Sequence, residues 1–89
     1  MDAKKIYDLF RSADGPLTAQ LQFGAGLTEV QIRKVEPLGM IVTGQYIPYR
    51  RSAVKVLVGE LAVEGLVASR TDVQCRIKFL RPAQLETPY

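Results

Sequence analysis

Tyr49-Arg50-Arg51 joins an aromatic ring to two permanent cations, and the apolar alternation Ala53-Val54-Lys55-Val56-Leu57-Val58 follows almost at once. Held in a turn, such a ring stacks on a flat group while the guanidiniums grip an anion. Single-stranded nucleic acid offers both, as base and phosphate. A solvated turn is the competing reading, since arginines beside a tyrosine are common on protein surfaces.

Further polar candidates fall on strand-like runs. Gln74, Arg76 and Lys78 form a basic stripe along which phosphates could lie, although a charged outer face is ordinary for a half-buried strand. Gln20 and Gln22, with Thr18, make a polar face that either hydrogen-bonds bases or simply faces water. Arg33-Lys34 suggests a rim patch, but neighbours on a regular strand point to opposite faces and do not act as a pair. Gln20, Gln22, Arg33, Arg76 and Lys78 are therefore secondary candidates for RNA contact. Tyr46, just before Pro48, is a candidate second stacking platform.

Much other chemistry is excluded. The chain has no histidine and a single cysteine, Cys75. The common zinc sites and the Ser-His-Asp and Cys-His nucleophile systems are therefore missing. No glycine-rich phosphate loop occurs. A non-enzymatic protein without metal or cofactor is expected, because only carboxylates remain as bases. Cys75 lies on the apolar side of its strand and reads as a small buried hydrophobe. It has no partner for an internal disulfide, which points to the cytoplasm.

Eighty-nine residues make one domain. A net charge of +3 and a pI near 9.2 permit a polyanionic partner. No apolar run is long enough to span a bilayer. Met1-Asp2-Ala3-Lys4-Lys5 has no secretory-signal character.

The elements that must position these residues follow from periodicity. Ala3 to Ser12 reads as a short helix with Ile6, Leu9 and Phe10 on its apolar stripe and Tyr7 widening it. Asp2 suits the N-cap, and Asp14-Gly15-Pro16 ends the helix. After Pro16 the period becomes two. Leu17, Ala19, Leu21 and Phe23 share a face, Gly24-Ala25-Gly26 turns the chain, and Leu27 to Val35 forms the next strand. Pro37 to Gly39 interrupts it, Met40 to Thr43 resumes, and Gly44-Gln45 turns again. Pro48 marks an edge or bend. Ser52 to Val58, Leu61 to Ala68 and Val73 to Phe79 complete the strands. Gly59-Glu60 and Ser69 to Asp72 are the turns between them, and Gly65 suggests a bulge. In the last strand Val73, Cys75, Ile77 and Phe79 point inward. Phe10, Phe23 and Phe79 are core candidates, and residues 81–89 form a loose tail. The fold expected is mainly β: a short N-terminal helix and six or so strands in a small, strongly bent antiparallel barrel.

The order of these elements resembles the bacterial Hfq and Sm-like family of RNA-binding ring proteins. The likeness runs from Lys4 to Val58. It includes Ile6-Tyr7-Asp8-Leu9-Phe10, Pro16-Leu17-Thr18-Ala19-Gln20-Leu21, Gly24 and Leu27. Further along it takes in Gln31 to Leu38, Met40-Ile41-Val42 and Tyr49-Arg50-Arg51-Ser52-Ala53-Val54. The resemblance implies an Sm-like, SH3-like barrel whose subunits join edge to edge into a ring. It also implies single-stranded RNA held at the pore. Tyr49 matches the family's aromatic, Arg50 its lysine and Arg51 its histidine position; with a one-residue shift Ser52 takes the histidine place. Leu38 stands where the family carries a second stacking aromatic. Residues 1–58 would be the helix and core, with 59–80 an additional hairpin that could cover the edge a ring uses. The function expected is a non-enzymatic RNA-binding homo-oligomer. A protein-interaction barrel that has lost RNA binding is the alternative. A PilZ-like barrel gripping cyclic di-GMP with arginines ranks lower, since the Asp/Asn-x-Ser-x-x-Gly motif is missing.

Overall fold

The computed structural model describes residues 3–12, 17–24 and 26–80. The Asp2 cap, Ala25, the Asp14-Gly15-Pro16 stop and the 81–89 tail lie outside them. One helix, α1 (Ala3–Ser12), precedes six strands. These are β1 (Leu17–Phe23), β2 (Gly26–Glu36), β3 (Gly39–Thr43), β4 (Ala53–Val58), β5 (Leu61–Arg70) and β6 (Gln74–Phe79). They close into an antiparallel barrel of order β1-β2-β3-β6-β5-β4, with β4 returning to β1. The mainly β fold read from the alternating pattern is thus the fold observed.

The interior is filled by the inward residues of every strand, with Ile6 from α1 and Ile47 from the loop before β4. Valine dominates it, a β-branched side chain that suits a pleated, tightly curved wall. The helix touches β2 and β5, which face each other across the barrel, so it lies over an open end. Ile6 enters the core there, and Tyr7 and Phe10 pack against its margin. Leu9, expected on the same stripe, is exposed instead. A short helix over a narrow mouth buries only the side chains nearest the axis.

Residues 59–80 are a structural part of the barrel. Without them the sheet would be β3-β2-β1-β4, with β3 and β4 as its edges. In the closed barrel β5 pairs with β4 from Ala53↔Leu66 to Val58↔Leu61, and β6 pairs with β3 from Gly39↔Lys78 to Thr43↔Gln74. The two edges that would remain for ring formation are therefore satisfied within one chain.

Closure requires β6 to pass close to both neighbours. A Cβ added to Gly39 would collide with the Ile77 carbonyl oxygen, and one on Gly65 would come within 2.5 Å of the Lys78 oxygen. Gly65 therefore permits close approach, and the irregularity expected there lies between Val67 and Ser69. A second irregularity, between Ile32 and Lys34, leaves Arg33 without a register partner. Arg33 and Lys34 are consequently both exposed, against the expectation that they diverge. Val73 is 60% exposed in the β5–β6 turn, whereas Cys75, Ile77 and Phe79 point inward as expected. Phe23 and Phe10 are only partly buried; Phe79 alone of the three phenylalanines is in the core.

Gly39→Ala and Gly65→Ala should each destabilise the fold by about 1–3 kcal/mol, the usual range for an overpacked core site, as read by urea unfolding. Native mass spectrometry should find the chain as a 9.9 kDa monomer, because strand addition at β3 or β4 is blocked.

Candidate nucleic-acid interface

Residues 44–52 link β3 to β4 without regular structure, yet they are fastened at several points. The Gly44 N–H donates to the Val73 oxygen at 2.9 Å. Ile47 and Pro48 are buried, so Tyr46 and Tyr49 on either side are turned outward. The Ser52 N–H donates to the Tyr49 oxygen at 3.1 Å, closing a β-turn with Arg50 and Arg51 at its centre. Arg51 has φ 73°, the only positive φ among the described non-glycine residues. Positive φ at the third turn position is the signature of a type II turn, where glycine is favoured. The Arg51 N–H also donates to the Val67 oxygen at 2.7 Å, and the Val67 N–H to the Ser52 oxygen at 3.0 Å. The arginine pair is therefore sewn to β5.

Two grooves open beside this turn. The first, about 360 Å³, is bordered by Arg50, Arg51 and Lys78 over Leu66, Val67 and Ala68. None of its three cations makes a side-chain ion pair among the described residues. Lys78 lies opposite Leu66, which in turn lies opposite Ala53 at the start of β4, so register carries the β6 stripe to the turn. Next along β6, Arg76 is engaged: its Nη1 donates to Glu36 Oε1 at 3.0 Å. Lys34 Nζ approaches the other oxygen of Glu36 at 3.9 Å. Arg33 Nε donates to Thr43 Oγ1 at 3.1 Å. Arg33 and Arg76 are thus partly committed, whereas Lys78 is free to meet an anion.

The second groove, about 440 Å³, lies on the other side of the turn and includes Tyr46, Tyr49, Arg70 and Asp72. Tyr49 is 79% exposed, with the Arg70 guanidinium 5.7 Å from its ring centroid. Tyr46 is 61% exposed and stacks on Phe23 with ring centres 5.6 Å apart and planes 9° from parallel. Each ring thus has another group against it and remains largely exposed. Tyr46, the candidate second platform, shares a groove with Tyr49. Ser52 and Gln45 add polar groups. Asp72 is exposed and unpaired among the described residues, although Arg70 stands two positions away.

Other sequence candidates lie elsewhere. Leu38 sits in the β2–β3 turn, where its oxygen accepts from the Phe79 N–H at 2.8 Å. That end of β6 is about 17 Å along the strand from Asp72 and adjoins Lys78 of the first groove, but Leu38 lines neither groove. Gln20 and Gln22 face outward on β1, three strands from β6 and hence on the opposite wall. Cys75 is buried, and desolvation pushes its thiol up to about 11 despite the nearby Arg70 charge. It is no nucleophile near neutrality. Arg70, Asp72 and Phe23 are missing from the sequence-derived site. The sequence predicts a turn over 69–72, but β5 runs through Arg70 and the turn spans 71–73; nothing local gives its nearness to Tyr49.

Among the described residues no cluster of potential metal ligands occurs, and no helix is long and apolar enough to cross a membrane. Comparison with family models, curated proteins and solved structures found no match. The functional reading rests on the grooves themselves.

Arg51→Gly and Arg51→Ala separate charge from backbone strain. A left-handed residue with a Cβ costs roughly 1–2 kcal/mol, partly offset in glycine by its freer unfolded chain. The glycine variant should be more stable than wild type by up to about 1 kcal/mol, and the alanine variant should not. Thermal unfolding of the two variants checks this.

Proposed function

We propose that this protein is a non-enzymatic β-barrel that binds single-stranded RNA at the Tyr49-Arg50-Arg51 turn. The observation that carries the reading is the pairing of two grooves at one turn. On one side Arg50, Arg51 and Lys78 line a groove that contains no acid; on the other, Tyr46 and Tyr49 offer backed aromatic faces. A strand crossing the turn would lay phosphates against the cations and stack bases on the rings. Ser52 adds a hydroxyl on the base side. Arg76 and Arg33 extend the positive wall, while Gln20 and Gln22, on β1 beside β4, line neither groove. The element order resembling the Sm-like family supports the choice of RNA. Its edge-to-edge ring is not carried into the proposal, since β3 and β4 already have partners.

A second reading is favoured by the position of Arg50 and Arg51 at the barrel rim: a cyclic-dinucleotide site of the PilZ-like kind. Calorimetry with cyclic di-GMP tests it, and the lack of any saturable heat rules it out.

Fluorescence anisotropy with a labelled oligouridylate tests the leading proposal. Affinity should fall with salt, and Arg50→Ala or Lys78→Ala should each lower the log–log slope by about 0.7. Tyr49→Ala should weaken binding about 5- to 100-fold, the scale of one lost stacking contact. Absence of any salt-dependent binding would overturn the proposal.

A further inference from the structure

The acid in the aromatic groove is out of place for a surface that only follows a phosphate backbone. Asp72 borders the groove with Tyr46, Tyr49 and Arg70, and no other carboxylate lines either groove. It makes no ion pair or hydrogen bond among the described residues, because Arg70 is turned elsewhere. The Arg70 guanidinium lies over Tyr49, and its Nε donates to the Thr71 oxygen at 3.3 Å. A free carboxylate repels phosphate. Beside two stacking platforms it favours a base edge rich in donors.

The four bases differ on that edge. Guanine presents N1–H and the 2-amino group side by side, matching the two oxygens of a carboxylate. Uracil presents one N–H between two carbonyl acceptors. Adenine and cytosine each present one amino group beside a ring-nitrogen acceptor, whose lone pair would face the second carboxylate oxygen. Guanine also carries O6 and N7 acceptors, which suit an arginine. Arg70 stands on the same groove.

We propose that the Tyr46–Tyr49 groove is a guanine subsite, with Asp72 accepting from N1–H and the 2-amino group of a base stacked on tyrosine. The inference rests on the RNA reading only for the source of the base. A free guanine nucleotide carries the same edge.

The test compares three fluorescent uridine-rich decamers that differ at one central nucleotide: guanosine, inosine or adenosine. The guanosine strand should bind about 5- to 100-fold more tightly than the adenosine strand, the range for one bidentate pair. Inosine lacks the 2-amino group and should fall between them. Asp72→Asn, which turns one acceptor into a donor, should collapse the guanosine advantage; circular dichroism verifies that the variant folds. Equal affinity for all three strands, or a guanosine advantage that survives Asp72→Asn, overturns the subsite and leaves the RNA reading standing. If no strand binds, the RNA reading fails, and calorimetry with GMP against AMP decides the subsite alone. Asp72-dependent binding of GMP supports it as a nucleotide site, and no binding of GMP overturns it.

Discussion

The structure depends on the passage of β6 between β3 and β5. That single insertion turns a five-strand sheet, β3-β2-β1-β4-β5, with two raw edges into a closed barrel, in which backbone groups along the paired strands find partners inside the chain. It is possible only because Gly39 and Gly65 leave room for the β6 carbonyls on either side. The same insertion builds the site. Pairing of β5 beside β4 brings Val67 to the arginine turn, and its two backbone hydrogen bonds fix Arg51 and Ser52. The β5–β6 turn then sets Arg70 and Asp72 against Tyr49, and β6 delivers Lys78 to the other side.

Much of this organisation was legible in the chain. Alternation over Leu17–Phe23, Ala53–Val58 and Gln74–Phe79 marks half-buried strands, and burial follows it there residue by residue apart from the half-buried ends of the first and Leu57 in the second. The arginine turn was legible from its residue types and its place before an apolar run. Irregular pairing was not. The bulge at Arg33 changes which side chains face outward without leaving a compositional mark. Val73 continues the alternation in sequence but lies in the bend before β6 and is exposed, although its carbonyl still accepts from the Gly44 N–H. Long-range neighbours were harder still: Arg70 meets Tyr49 only because β5 runs back past β4, and nothing local to either residue encodes that meeting.

The turn itself carries an internal tension. Glycine would suit the Arg51 backbone, and an arginine there gives up stability for a second cation at the rim. Fixing that conformation needs anchorage, supplied by buried Ile47 and Pro48 on one side and Val67 on the other. A loop fastened this way fixes the backbone from which the charged and aromatic side chains project. Such preorganisation strengthens weak surface contacts.

Charge obeys the same topology. Taken whole, the chain is only mildly basic, with twelve cations against nine acids. Folding sorts them: Arg33, Lys34, Arg50, Arg51, Arg70, Arg76 and Lys78 gather on β2, β5, β6, the β5–β6 turn and the turn before β4, against Glu29, Glu36, Glu64 and Asp72. The rest of the chain holds five cations against five acids. A wall of this sign concentrates the potential on one side and steers a polyanion toward the turn. Glu36 and Asp72 then act differently on that wall. Glu36 ties down Arg76 and Lys34 and lowers their pull, which leaves Arg50, Arg51 and Lys78 as the cations of this group whose side chains have no partner among the described residues. Asp72 stays free on the aromatic side, where repulsion of phosphate would keep the backbone on the arginine side of the turn and present the bases to the rings.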